Sequence, residues 1–205
     1  MTEAELKETQ LDALKEVANI GAGHAATALS QLTGRRIMIN VPSISICEIE
    51  EAPSAIGDPD AVVAAILMHV LGDLTGRSLL LFPRDGALAL SDMLLNRDSG
   101  STKVFGELEQ SSLKETANIL TGAYMNALSD FLGLMLIPSV PSLAIDLCAA
   151  VLSTTYLNFG RDRDRVIILD THFRFDPDEG TMSGHFVLLP DASSLKIILK
   201  TVRLA

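Results

Sequence analysis

A carboxylate and a carboxamide recur in this chain at one fixed distance: Glu16 with Asn19, and Glu115 with Asn118. Asp12 and Pro42 flank the first pair as Ser111 and Pro141 flank the second, with three, two and twenty-two residues intervening in both copies. Gapless superposition of residues 16–43 on 115–142 gives identity at twelve of twenty-eight positions, Glu, Asn and Pro among them. A carboxylate brings charge and acceptors, and an amide brings both donors and acceptors, so the pair can bind and orient a polar group. A duplicated fold can keep its core without keeping such a pair. Asn is also a poor residue for an exposed helix interior, because its side chain competes for backbone hydrogen bonds. Its retention at one offset from Glu in both copies makes the pairs the candidate site.

Helices must position them. Residues 3–33, rich in Ala, Leu, Glu and Lys, predict a helix stopped at Gly34, and residues 104–132 predict its second copy. Each helical residue advances about 100°, so with Asp12 at zero Glu16 falls at about 40° and Asn19 at about −20°. Leu11, Leu14, Val17 and Ala18 take the opposite face, as Leu113, Ala117 and Leu120 do opposite Ser111, Glu115 and Asn118. Each helix therefore packs an aliphatic side and presents a carboxylate and an amide together. Pro42 and Pro141 are expected to fix how the following strand leaves each helix.

The remaining pattern repeats as well. Residues 36–49 alternate as a strand, with Pro42 marking an edge or a bulge. Strands over 61–71 and 77–83 and a helix over 85–96 complete the first half, and Ser99–Ser101 reads as a linker. In the second half a short strand over 133–140 precedes a segment, 143–152, with helical spacing that carries Asp146. Strands over 165–174 and 181–189, a turn at 176–180 and a helix over 192–200 follow. The expected fold is α+β: a pseudo-twofold repeat of helix-plus-hairpin halves, about 5–98 and 104–203, sharing one central, mostly antiparallel sheet flanked by helices. Residues 1–205 are expected to form one domain.

Composition narrows the function. A net charge of −10 argues against nucleic acid and anionic membranes, since either needs a basic patch. Arg161, Arg163 and Arg165 alternate with Asp162 and Asp164 and read as a solvated turn. The N-terminus lacks a secretory pattern and no apolar run is long enough to span a bilayer, so a cytoplasmic location without membrane insertion is expected. Cys47 and Cys148 sit in apolar segments and read as buried free thiols. No Arg stands where a Cys-x5-Arg nucleophile needs it, because Pro53 and Thr154 occupy those positions. His24, His69, His172 and His185 show no ligand spacing, so no metal site is expected. Gly21 to Ala26 fits G-x-G-x-x-A, but a dinucleotide site needs a preceding strand and here a helix precedes it.

The doubled pattern Asp/Ser-x3-Glu-x2-Asn-x22-Pro, with Asn19-Ile-Gly-Ala-Gly23 after the first Glu, resembles the CheC family of chemotaxis phosphatases, related to CheX and FliY. The resemblance runs over essentially the whole chain. CheX-like members carry one such site and FliY-like members add a flagellar-switch domain, so a two-site CheC-like member is expected.

This resemblance implies a phosphatase acting on the aspartyl phosphate of a phosphorylated CheY-type response regulator. Asn19 and Asn118 would each orient the attacking water, and Glu16 and Glu115 would each pair with a lysine of the regulator. Asp12 and Ser111 would sit at the rim. No cofactor of its own is implied, with Mg²⁺ expected in the regulator. Phosphoryl transfer has a loose transition state, so positioning and charge stabilisation suffice without a strong base. The resemblance also implies a CheD-type receptor deamidase as a partner contacting the region of Asp146. The alternative is a non-catalytic binding module or scaffold for the regulator, the deamidase or both. The differing rims, and Ile20-Gly21 against Ile119-Leu120, predict different rates at the two sites.

Overall fold

The computed structural model describes residues 8–157, 165–175 and 181–202. Two long helices dominate one face: α1 (Glu8–Thr33) and α4 (Glu107–Leu132), with 26 described residues each. Leu14, Val17 and Ala18 of α1 and Leu113, Ala117 and Leu120 of α4 are buried, as the helical periodicity predicts. Gly133 ends α4 in the left-handed conformation at φ 67°, where a residue without Cβ meets no penalty. The helices pack closely at Gly21. A Cβ there would lie 2.8 Å from Cδ1 of Tyr124 and 3.1 Å from the Ala123 carbonyl oxygen, so only glycine fits this contact.

Beneath the helices lies one sheet of eight strands: β1 (Ile37–Asn40), β2 (Ile44–Glu48), β3 (Val62–Gly72), β4 (Gly76–Pro83), β5 (Leu136–Pro138), β6 (Ser142–Leu147), β7 (Arg165–Phe175) and β8 (Thr181–Pro190). The path runs β1-β7-β8-β4-β3-β5, with β2 also on β7 and β6 also on β3. The paired strands run antiparallel, with Leu79 opposite Val187 where the hairpins β3–β4 and β7–β8 meet. Each half thus sends its two short strands to the long hairpin of the other. The repeat is intertwined.

Alternation divides the sheet faces. Ala64, Ile66, Ile167, Leu169, Phe186 and Leu188 pack toward α1 and α4, joined by α3 (Arg84–Leu94) and by Ile198 of α6 (Ala192–Val202). Val63, Ala65, Leu79, Leu81, Val166 and Val187 form a smaller core with Ala52 of α2 (Ala52–Ile56) and Val151 and Leu152 of α5 (Cys148–Leu157). No described helix is long and apolar enough to cross a membrane. The expected α+β sheet flanked by helices is present.

Three local readings need correction. Residues 36–49 form two strands because Val41–Ser43 interrupt the ladder around Pro42, which has no N–H to give. Residues 143–147 are strand β6, and helix begins only at Cys148. Leu143, Ile145 and Leu147 alternate, and pairing with Ile66, Ala64 and Val62 of β3 overrides their helical spacing. The expected linker is anchored: the buried Asp92 carboxylate accepts hydrogen bonds from Gly100 N–H, Ser101 Oγ and Thr102 N–H at 2.8 to 2.9 Å. The short helix α2 was not expected. The turn at 176–180 and most of the Arg/Asp stretch lie outside the described residues, although Arg165 begins β7.

Candidate functional site

Both helices present the expected polar stripes, but not equally. On α4, Ser111, Glu115 and Asn118 are all exposed, and among the described residues none of the three side chains forms a hydrogen bond or ion pair. On α1, Asp12 and Glu16 are exposed, whereas Asn19 is half-buried. Its Nδ2 donates to the carbonyls of Lys15 at 2.9 Å and Val41 at 3.2 Å, and its Oδ1 accepts the Val41 N–H at 2.9 Å. Val41 follows β1 and is 1% exposed, so without Asn19 its backbone groups would lack these partners. Ser30, three turns further along α1, bonds in the same way to both backbone groups of Ile37. Asn19 and Ser30 therefore stitch α1 to β1 at both ends.

The corresponding bend in the second half is served differently. Val140 occupies the position of Val41 yet is 86% exposed. Ser139 replaces Asn40 there, and its hydroxyl accepts from His69 N–H of β3 at 2.9 Å and donates to the Val140 carbonyl at 3.1 Å. The Ser139 N–H also reaches the His69 carbonyl at 2.8 Å. Here a hydroxyl from the bend itself takes the Val140 carbonyl, as the Asn19 amide takes that of Val41 from the helix. Asn118 is left with its amide presented to solvent. Pro42 and Pro141 follow these bends, Pro42 exposed and Pro141 half-buried.

An apolar cavity of about 40 Å³ is lined by Leu14, Val17, Tyr124 and Leu188, among others, and a polar cleft of about 290 Å³ lies by Arg35, Asp92 and Arg97. Neither includes a Glu or Asn of the two pairs. A carboxylate and an amide three residues apart on a helix are neighbours on one surface. On a convex helix such a pair can act by entering the cleft of another macromolecule.

Other singled-out residues fall elsewhere. Asp146 lies on β6, exposed, and not on a helix; its Oδ1 accepts the Leu147 N–H at 2.8 Å. Gly21 to Ala26 lies inside α1, away from any strand-to-helix turn, so the dinucleotide motif has no structural context. Cys47 and Cys148 are free thiols, and burial pushes both pKa values up, with Glu51 and Asp58 adding to the rise. His185 faces Asp170 across the β7–β8 pair, its Nδ1 3.0 Å from Oδ1. One signal escaped the sequence reading. Ser139 against Asn40 marks the difference between the bends, but the pairing that makes it matter lies in β3.

Residues 10–46 and 108–145 match the CheC-like family. The chain is 34% identical over 193 residues to the CheY-P phosphatase CheC of Bacillus subtilis (strain 168), covering 93% of this chain and 92% of that protein. The crystal structure of Thermotoga maritima FliY superposes with a TM-score of 0.80 at 20% identity, covering 98% of this chain and 99% of that one. The FliM middle domain from H. pylori has the same fold, with a TM-score of 0.69 at 12% identity over 96% of this chain and 99% of that one. The chain belongs to the CheC-like family.

Proposed function

We propose that this protein hydrolyses the aspartyl phosphate of a CheY-type response regulator and so ends a chemotaxis signal. The observation that carries the reading is the Glu115/Asn118 pair, exposed on a buried-backed helix with its amide uncommitted among the described residues. The kinship with a relative named CheY-P phosphatase CheC supports the choice of substrate.

In this mechanism α4 enters the regulator's active-site cleft. Glu115 pairs with a lysine of the regulator and sets the register of the helix. Asn118 holds a water in line with the phosphorus, donating to it through Nδ2. The acyl phosphate supplies a good leaving group. The regulator's own Mg²⁺ supplies charge, so this chain needs no cofactor. Ser111 sits at the rim, and Pro141 shapes the strand beside the helix. On α1, Glu16 offers the same anchor and Asp12 the same rim, while Asn19 commits its amide to Val41 and Pro42 follows that contact. A CheD-type deamidase would meet Asp146 on the β6 edge.

The test separates anchoring from chemistry. Phosphate release from a phosphorylated CheY-type regulator is followed with Mg²⁺ across regulator concentrations. Glu115→Gln is expected to raise KM, and Asn118→Ala to lower kcat by about 10²-fold, the scale on which lost placement acts. Wild-type binding without any acceleration would favour the scaffold.

A further inference from the structure

Resting on the phosphatase reading, we infer that the two faces divide the work: the α4 face hydrolyses, and the α1 face holds a second regulator without turning it over. Hydrogen-bonding capacity separates the two faces. A carboxamide has two N–H donors. Both partners of Asn19 Nδ2 are backbone carbonyls, Lys15 and Val41, and its Oδ1 already takes the Val41 N–H. No donor remains for a water. Turning the amide outward would strand both backbone groups of a residue that is 1% exposed. Nothing comparable holds Asn118, because Ser139 serves its own bend.

Docking is another matter. Glu16, like Glu115, is exposed and sits at the same place in the stripe, with Asp12 one turn before it. Lys15 and Lys114 precede the two anchors alike. The α1 face thus keeps the anchoring carboxylate and lacks the free amide. A regulator on this face keeps its phosphoryl group for as long as its own hydrolysis allows. Such a site would store signal beside a site that removes it.

The experiment pairs stoichiometry with turnover. The probe is a CheY-type regulator with its aspartate carrying beryllofluoride, titrated calorimetrically into the full chain. Wild type is expected to bind two regulators. Glu115→Arg is expected to bind one and to lose turnover of phosphorylated regulator. Asn118→Ala is expected to bind two, with turnover falling as far as in Asn19→Ala/Asn118→Ala, to the regulator's own decay. All but the last substitution fall on exposed side chains without bonded partners, so these variants fold. Turnover of about half the wild-type value in Asn118→Ala would overturn the division of work and leave the phosphatase reading standing. One regulator on wild type and none on Glu115→Arg would overturn the second docking face. No acceleration by wild type at all would overturn the phosphatase reading and this inference with it.

Discussion

The two asparagines sit at the same offset from Glu, each between Ala and Ile, and are employed differently. Asn19 closes the backbone account at Val41 with both its donor and its acceptor, whereas Asn118 stands in solvent. Stability separates them. Asn19→Ala leaves a buried N–H and carbonyl without those partners and is expected to cost ~1–3 kcal/mol. In a chain of this size each kcal/mol lowers Tm by about 2–4 °C. Asn118→Ala, an exposed change, is expected to stay within about 0.5 kcal/mol of wild type. Thermal denaturation of the two single variants checks this, and equal melting temperatures would remove Asn19 from its structural role. The pairs themselves were legible because chemistry at fixed spacing recurred. A difference between the two sites was expected from their rims and from Gly21 against Leu120, but not this cause of it, because Val41 and Val140 match in sequence and diverge only through Ser139 and β3.

At the scale of elements, the long helices and the two hairpins follow from periodicity alone. What periodicity missed was partnership. Leu143–Leu147 have helical spacing as a string and strand alternation as a pair for β3, and the sheet edge decides between them. The break at Val41–Ser43 was foreshadowed by Pro42, but not its second pairing with β7 through β2. The α1–α4 contact depends on one glycine. Gly21→Ala is expected to force Tyr124 out of its place beside Phe186, where the rings lie 4.8 Å apart. Overpacking of this kind costs ~1–3 kcal/mol. Burial pushes the Tyr124 phenol up to about 12, with the Thr171 hydroxyl bond pulling the other way, so its titration followed by absorbance reports whether the packing has loosened. An unchanged Tm together with an unchanged Tyr124 titration would mean that α1 and α4 part without cost.

Across the whole molecule, carboxylates clamp the joints. Asp191 caps α6 through Ser194 N–H at 2.8 Å and Ser193 Oγ at 2.7 Å, and it also accepts from Thr75 of the β3–β4 turn. Burial would raise its pKa, but the bonds from Thr75, Ser194 and Ser193 outweigh that and bring it to about 2. At Asp92, burial is likewise outweighed by Thr102, Ser101 and Gly100, and Glu109 is lowered chiefly by its bond from Arg97. A pKa depressed on folding stabilises the native state above the unfolded value and loses that contribution as pH falls through the folded one. Asp191 therefore gives its full contribution above its ordinary 3.8 and loses it toward pH of about 2. Asp191→Asn keeps a capping side chain but removes the titration. Its Tm is expected to fall less steeply than wild type over that interval, and parallel curves would remove Asp191 from the acid response.

The strand exchange makes the two halves one sheet, so the helix faces they carry are fixed relative to each other. That places an anchored amide and a free amide on one rigid frame. The most direct measurement is the decay of phosphorylated CheY-type regulator with Mg²⁺, alone, with wild-type protein and with Asn19→Ala/Asn118→Ala. Wild type is expected to speed the decay, and the double variant to return it to the rate of the regulator alone while still binding it. Acceleration that survives loss of both amides would contradict the assignment of the chemistry to this site.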